Sequence, residues 1–211
     1  MSGRPWFERI GPGDLMELAT DVGPVPMNVG AALLLDAVPA NDLDGLVASL
    51  GRRLTAIPRL RQVLVDVPWG LGRPIWVDAQ DFEIAAHMNH VRCGQLDDRS
   101  GHPGELSALL DVLTAAVARP LDRSRPLWRA VVVTGLAGGQ VGIVIAFHHV
   151  MADGIGGLAV LRGLVDDSGT SSPVADPAVL DQLPRPGPTR SQLFADAVAA
   201  RARSVRRLPQ G

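Results

Sequence analysis

The sequence has few of the residues that build disulfide frameworks and cysteine-rich metal sites, with one cysteine, Cys93, among 211 residues. A single cysteine excludes an internal disulfide and a zinc site made of several thiolates. Cys93 follows Val-Arg and precedes Gly, a context without an activating signature, so we interpret it as an ordinary thiol and not as a nucleophile. The chain also lacks tyrosine and lysine, which we attribute to coding bias.

Long apolar runs and a strong net charge are absent too. No run approaches the roughly 18–20 apolar residues that span a bilayer, and residues 1–23 do not resemble a secretory signal. The formal net charge of −2 gives no reason to expect a nucleic-acid partner. A hydrophobic fraction of 46% predicts a folded globular protein. We therefore expect a cytoplasmic or peripheral protein.

Hydrophobic periodicity predicts strands separated by helices. Residues 29–35 form a nearly unbroken apolar run, typical of a strand buried on both faces, and residues 75–77 predict a short strand. Apolar residues recur at helical spacing over 43–54 and 104–118. Asn41 is the predicted cap of the first of these helices. This alternation indicates an α/β layered domain.

The second half of the chain predicts a hairpin followed by helices. Residues 130–134 and 141–147 predict two β-branched strands joined by a glycine-rich turn. The second strand is apolar or small on both faces, so each face should be covered. A third helix is predicted over 158–167. We divide the chain into a domain of residues 1–168, a proline-rich linker of residues 169–188 and an arginine-rich helical tail of residues 189–211.

The segment directly after the second hairpin strand contains the strongest chemical signal, His148-His149-Val-Met-Ala-Asp153-Gly154. Because side chains alternate along a strand, the two histidines should point to opposite faces, one toward the layer behind the sheet and one toward a cavity. A neutral imidazole can take a proton from an alcohol at cellular pH. Asp153 can fix the turn, and Gly154, Gly156 and Gly157 remove side chains where a substrate would approach.

The pair also has a structural interpretation, because histidines at the end of a buried strand often only satisfy hydrogen bonds. We predict no metal site, since adjacent strand residues diverge and no third ligand cluster accompanies them.

The motif His-His-x-x-x-Asp-Gly after an apolar strand resembles the active-site motif of the CoA-dependent acyltransferase superfamily. Its surroundings narrow the resemblance to the N-terminal half of bacterial wax ester synthase/diacylglycerol acyltransferases, over nearly the whole chain. They are the segments Pro26-Met-Asn-Val-Gly30, Pro58-Arg-Leu-Arg61, Pro68-Trp-Gly-Leu-Gly72, Pro74-Ile-Trp76, 82–87, Pro120-Leu-Asp-Arg-Ser-Arg-Pro-Leu-Trp128 and 135–139. The resemblance implies a two-layer α/β acyltransferase-like domain, a mixed sheet with packed helices, forming one half of a two-half architecture.

The resemblance also implies a reaction in which an acyl group passes from acyl-CoA to diacylglycerol or to a long-chain alcohol, with acyl-CoA as co-substrate and no permanently bound cofactor. It assigns the general base to His149, the frame of the site to His148 and Asp153, and its open access to Gly154. Substrate contacts are expected from Trp128, Pro126, Gly156 and Gly157. Trp128 has a second interpretation as a hydrophobic anchor under the hairpin.

Two positions depart from the family pattern, Asn28 where the family often has histidine and Arg129 where it often has an acid. We interpret Arg123 and Arg125 as solvated, with pairing to Asp153 as the alternative.

The resemblance covers one half of a family whose tunnel lies between two halves, so we expect the chain to be a fragment, a split partner or a self-associating form. Two other functions stay open, a catalytically silent lipid- or CoA-binding module and a condensation-type domain. The tail is either a solvated linker helix or a basic amphipathic helix on anionic lipid.

Overall fold

A computed structural model describes residues 7–36, 39, 42–68, 70–93, 105–151 and 182–206. Within these ranges strands and helices are interspersed along the chain. Short 3-10 turns lie at Pro58–Arg61, Ile84–Ala86, Ala137–Gly139 and His149–Met151. The elements are β1 (Glu8–Arg9), α1 (Pro12–Thr20), β2 (Asn28–Leu35), α2 (Leu43–Thr55), β3 (Gln62–Val65), β4 (Ile75–Asp78), β5 (Met88–Arg92), α3 (Glu105–Ala118), β6 (Trp128–Thr134), β7 (Val141–His148) and α4 (Arg190–Arg206).

A four-stranded mixed sheet forms the centre of the fold, in the order β2-β7-β6-β5. Strand β7 pairs antiparallel with β2 and with β6, whereas β5 runs parallel to β6. The hairpin of β6 and β7 is aligned so that Trp128 lies opposite Phe147. The sheet confirms the predicted α/β class with a mixed sheet and packed helices.

Both faces of β7 are covered, because all eight of its residues are buried. On one face Ile143, Ile145 and Phe147 join a core with residues of α2 and the Pro58–Arg61 turn. On the other face Val144 and Ala146 pack with residues of α3. The alternation of side chains along a strand produces these two cores, which together hold the end of β7 in place.

A second, three-stranded antiparallel sheet has the order β1-β4-β3. Helix α4 packs against it, since Leu193 is buried with Phe7 and Ile75. Two ion pairs reinforce this packing, Arg9 with Asp196 at 2.5 Å and Arg185 with Asp78 at 2.8 Å. The C-terminal helix is therefore attached to the sheet along its N-terminal part.

Most of the predicted elements are confirmed, including α2, α3, the hairpin, the short strand β4 and a helix over most of the predicted tail. The sequence interpretation missed β1, α1, β3 and β5. The prediction that residues 29–35 are buried on both faces is wrong. Strand β2 is an edge strand, and the side chain of Leu34 is 45% exposed.

Some predictions concern segments outside the described residues. The helix expected over 158–167, the Asn41 cap and most of the linker belong to this group, and the division into residues 1–168, 169–188 and 189–211 stays a prediction. Within the ranges that are described, no helix has the length and apolar character needed to cross a membrane.

Candidate active site

Strand β7 ends at the two histidines of the motif. The His148 amide donates a hydrogen bond to Leu127 O at 2.9 Å, and the His149 amide donates one to Met27 O at 2.7 Å. These bonds attach the end of β7 to the residue before β6 and to the residue before β2, the strands on its two sides. The His148 side chain is 3% exposed and the His149 side chain is 43% exposed. One imidazole is therefore enclosed and the other is open, as strand alternation predicts.

The hydrogen bonds of His148 determine which of its nitrogens carries the proton. Its Nδ1 accepts a bond from the Val150 amide at 3.1 Å, so that nitrogen has no proton. Its Nε2 therefore carries the proton and donates a hydrogen bond to Asp21 Oδ2 at 3.1 Å. Both nitrogens are thus used by neighbouring groups, and His148 fixes the turn that follows β7. The frame role that the resemblance implies for His148 stays a prediction.

Asp21 lies directly after α1 and accepts hydrogen bonds from three groups. The Met27 amide donates to Oδ1 at 2.9 Å, while Arg123 at 2.7 Å and His148 donate to Oδ2. Burial raises the pKa of a carboxyl, but here these hydrogen bonds outweigh burial and lower the pKa of Asp21 to about 2. Asp21 is therefore an anion at neutral pH, and it links α1 to the end of β7.

His149 contacts a second carboxylate of α1. Its Nδ1 lies 2.9 Å from Glu17 Oε1, although the two groups lack the alignment of a hydrogen bond. Nδ1 is itself buried, so the exposed area of the side chain lies on its other atoms. His149 consequently turns Nδ1 toward α1, while other parts of its side chain stay exposed.

The sequence interpretation missed Glu17 and Asp21 because it assigned no helix to residues 12–20. A local signal was present, since Pro12 is the first residue of α1 and Asp14 accepts a bond from the Gly11 amide at 2.8 Å. Proline at this position and an acid in the first turn are typical of a helix start. Glu17 and Asp21 are four residues apart, so they face the same side.

Trp128 is anchored in the core. Its side chain is 1% exposed, and its indole N–H donates to Leu60 O at 2.8 Å. The ring stacks on His87 at a centroid distance of 4.7 Å, and His87 Nδ1 donates to Trp128 O at 2.9 Å. Burial lowers the pKa of His87, which keeps its imidazole neutral. These contacts are those of a hydrophobic anchor, and a role for Trp128 in binding an acyl chain stays a prediction.

Pro126 lines two cavities on the His87 side of the fold, with volumes of about 690 and 220 Å³. The residues that line them also include His87 and Arg125, but not His149. The two cavities therefore do not connect Pro126 to the open histidine, and its substrate-binding role stays a prediction.

Asn28 and Arg129, the two departures from the family pattern, both bind carbonyl groups at the end of α3. Asn28 Nδ2 donates to Val117 O at 2.9 Å and to Arg119 O at 3.0 Å. Arg129 donates to Pro120 O at 2.5 Å. Burial lowers the pKa of Arg129. Both side chains thus cap α3, whose last carbonyls have no partner within the helix.

The side chains of Arg123 and Arg125 are 56% and 58% exposed, as expected of solvated arginines, and each also lies beside a carboxylate. Arg123 pairs with Asp21, and Arg125 lies 3.8 Å from Asp122. Asp153, Gly154, Gly156 and Gly157 lie outside the described residues. Cys93 is partly buried, and burial raises the pKa of its thiol, opposite to the shift that activates a nucleophile.

Comparison with known proteins identifies the family. The model of the wax ester synthase/diacylglycerol acyltransferase catalytic domain matches residues 10–210. Over 172 residues the chain is 36% identical to a Mycobacterium tuberculosis protein named as a diacylglycerol O-acyltransferase, covering 81% of this chain and 60% of that one. A Mycobacterium bovis protein with the same description is 36% identical over 148 residues, covering 70% and 30%. The chain thus spans about a third to three fifths of the length of these relatives.

Solved structures share the fold. The wax ester synthase/diacylglycerol acyltransferase of Marinobacter aquaeolei VT8 superimposes with a TM-score of 0.63 at 20% identity, covering 96% of this chain and 47% of that one. The starter condensation domain of rhizomide synthetase, in complex with C8-CoA, gives a TM-score of 0.54 at 16% identity, covering 75% and 34%.

Proposed function

The chain belongs to the wax ester synthase/diacylglycerol acyltransferase family, and from that premise we propose that it is an acyl-CoA-dependent O-acyltransferase with His149 as general base. Its acceptor is diacylglycerol, giving triacylglycerol, or a long-chain alcohol, giving a wax ester. Relatives named as diacylglycerol O-acyltransferases support the first acceptor, and the Marinobacter structure supports both. The C8-CoA complex of a protein with this fold supports acyl-CoA as the donor.

The proposed reaction needs one base and no enzyme nucleophile. Nε2 of His149 takes the proton of the acceptor hydroxyl while the oxygen attacks the thioester carbonyl carbon. The C–O bond forms, the C–S bond breaks, and the proton passes from His149 to the CoA thiolate. A general base typically contributes about 10²- to 10⁴-fold, so the orientation of the two substrates supplies much of the remaining rate.

The observation that carries this proposal is the difference between the two histidines. His148 has both nitrogens in hydrogen bonds and is 3% exposed, so it has no free lone pair for a substrate. His149 is 43% exposed at the end of the central strand and has Nδ1 buried toward α1, so we assign the substrate to its Nε2. Of the two, only His149 can meet a hydroxyl group.

A thiol-release assay tests the base. CoA release from a long-chain acyl-CoA is measured with diacylglycerol or hexadecanol for the wild type, His149→Ala and His90→Ala. His90 is an exposed histidine on β5 that bonds Thr134 and serves as the matched control. We expect His149→Ala to lose about 10²- to 10⁴-fold in kcat and His90→Ala to match the wild type. Equal rates for wild type and His149→Ala would refute the assignment.

The same assay separates the alternative functions. A catalytically silent lipid- or CoA-binding module would bind acyl-CoA in a titration but release no thiol with any acceptor. A condensation-type domain would transfer the acyl group to an amine in preference to an alcohol.

The remaining site residues enter the proposal through the family motif. We assign Asp153 to the frame of the turn and Gly154, Gly156 and Gly157 to close approach of the substrate. Trp128 and Pro126 keep the substrate-binding roles that the resemblance implies. Trp128 would fill its role from a buried position under the hairpin. Substitution of Gly154 by valine tests the access role. A bulky side chain there should raise KM and leave the unfolding midpoint close to that of the wild type.

We further propose that a second wall covers His149, supplied by a C-terminal half or by a second copy of the chain. The exposed apolar side chains of Val22 and Val25, 77% and 76% exposed, lie on the segment between Asp21 and β2 and support a partner there. Specific activity measured against protein concentration tests self-association, since it rises with concentration if two copies share a site. Activity that appears only when a separately expressed C-terminal half is added indicates a split site.

Contact with a lipid surface is a further part of the proposal. Helix α4 buries Leu193 and Ala197 but leaves Phe194 and Val198 60% and 48% exposed, with Arg201 exposed on the following turn. An apolar patch beside arginines suits anionic lipid. Flotation with anionic vesicles in low and high salt tests this, comparing the wild type with the double variant Phe194→Ser/Val198→Ser. Equal flotation of both proteins would remove α4 from the lipid contact.

A further inference from the structure

Helix α1 presents two carboxylates to the two histidines of the motif. Asp21, at its end, bonds His148, and Glu17, one turn earlier, lies 2.9 Å from Nδ1 of His149. The Asp21 carboxylate already receives three donors. Glu17 Oε2, in contrast, is buried without a hydrogen-bond partner among the described residues. The carboxylate of Glu17 is thus held beside the open histidine with accepting capacity left over.

We propose that Glu17 is the positioning residue of His149, holding the ring proton on Nδ1 so that Nε2 presents its lone pair to the acceptor hydroxyl. This inference rests on the proposed role of His149 as base. A neutral histidine carries one proton on either nitrogen, and only the nitrogen without it can act as a base. A carboxylate beside Nδ1 favours the proton there, because it accepts a hydrogen bond from Nδ1–H but repels a lone pair.

Burial strengthens this preference. Nδ1 of His149 and Oε2 of Glu17 both have almost no solvent contact, so water does not compete for the ring proton on that side. When His149 takes the hydroxyl proton, the charge of Glu17 also stabilises the imidazolium that forms. The proton taken up by His149 leaves with the CoA thiolate.

Glu17 lies at the right distance from the ring for this role. The separation of 2.9 Å is a hydrogen-bond distance, whereas the direction is not. Reorientation of the glutamate side chain is sufficient, since the distance is already correct.

Nitrogen NMR tests the tautomer without requiring turnover. Protein labelled with ¹⁵N-histidine is recorded for the wild type, Glu17→Ala and Glu8→Gln at neutral pH, and the His149 signals are assigned from their loss in His149→Ala. Glu8 pairs with Arg59 on β1, away from the site, and is the matched control. We expect a protonated Nδ1 and a bare Nε2 in the wild type and in Glu8→Gln, and a mixture of tautomers in Glu17→Ala. A wild-type ring that is bare at Nδ1, or protonated on both nitrogens, would overturn the proposal.

Kinetics supply the second readout. If the chain turns over, Glu17→Ala lowers kcat about 10- to 100-fold, a part of what a general base contributes, with KM and the unfolding midpoint unchanged. Glu17→Asp restores part of kcat, which a purely structural role would not predict. A lower kcat accompanied by a changed KM and a lower unfolding midpoint would overturn the positioning role. Absence of turnover in the wild type would contradict the proposed function alone, because the NMR result decides the role of Glu17 independently.

Discussion

At the scale of single residues, buried polar groups determine how the end of β7 is held. His148 is 3% exposed and Trp128 1% exposed, yet each has its polar atoms paired. Removing one partner of such a pair leaves a buried donor or acceptor unsatisfied, which costs more than the bond itself contributes. Substituting the partner of such a group therefore measures how much the hydrogen bond contributes to the free energy of unfolding.

Asp21→Asn should change how stability depends on pH. The folded-state pKa of Asp21, about 2, lies below the ordinary value of 3.8, so its contribution is complete above about pH 4 and is lost as the pH falls toward 2. We expect the variant to lose about 1–2 kcal/mol of unfolding free energy at pH 7, a value discounted because Arg123 is more than half exposed, and to lose less below pH 4. Urea unfolding at a series of pH values measures this. Asp111→Asn, at an exposed position on α3, is the control, and parallel pH curves for wild type and Asp21→Asn would contradict the prediction.

Trp128→Phe should destabilise the protein without changing the surface that is exposed on unfolding. The variant keeps a ring but leaves the carbonyl of Leu60, a residue in the buried core, without the indole donor. The expected loss is about 1–3 kcal/mol, from the unpaired carbonyl and a small cavity. Urea denaturation should show a lower midpoint with an unchanged slope. A variant as stable as the wild type would show that this hydrogen bond contributes nothing to the core.

At the scale of elements, the sequence predicted those whose burial follows a regular pattern. Strand β7 is a continuous apolar run because both of its faces are covered, and α2 and α3 show apolar stripes because one face of each meets the core. Helix α1 gave no such signal, since it has nine residues and none of them is buried. Its place in the site comes from the bond between Asp21 and His148, residues that are 127 positions apart. No local pattern encodes a pairing over that distance.

The packing of α3 on β2 predicts an intolerant glycine. A Cβ atom at Gly30 would lie 2.7 Å from Val117 Cγ2, 2.8 Å from Leu113 Cδ1 and 3.0 Å from the backbone oxygen of Ile145. The two side-chain carbons can move only by displacing α3, and the backbone oxygen belongs to the central strand. We expect Gly30→Ala to cost about 1–3 kcal/mol through overpacking.

Thermal unfolding of Gly30→Ala beside Gly13→Ala measures this effect. A Cβ atom at Gly13, in the first turn of α1, meets nothing within 4 Å, so that variant should be at least as stable as the wild type. The prediction fails if the two variants unfold at the same temperature.

At the scale of the whole molecule, three of the four strands of the central sheet could be predicted and the attachment of α4 could not. The sequence of the polar, proline-rich stretch before α4 predicts a linker. The arginines from Arg185 onward predict a solvated surface. In the fold, Arg185 instead binds Asp78, whose side chain is 2% exposed, through its backbone amide at 2.9 Å and its guanidinium at 2.8 and 3.1 Å. Burial raises the pKa of a carboxyl, but these bonds outweigh it and lower the pKa of Asp78. A charge pattern alone does not distinguish a solvated arginine from one that neutralises a buried acid.

Arg185→Leu should therefore loosen one side of the molecule and leave the other intact. Asp78 would keep its bonds from the Arg185 amide and from Gln62 but lose its counter-ion, which costs about 1–3 kcal/mol where the arginine is partly exposed. Because α4 attaches to the sheet of β4 through this contact, the Arg9–Asp196 pair and the Leu193 cluster, hydrogen exchange should become faster in α4 and β4 while β6 and β7 keep their protection. Arg190→Leu, at an exposed position at the start of α4, should leave exchange unchanged. Uniform loss of protection would mean instead that both sheets and α4 unfold as one cooperative unit.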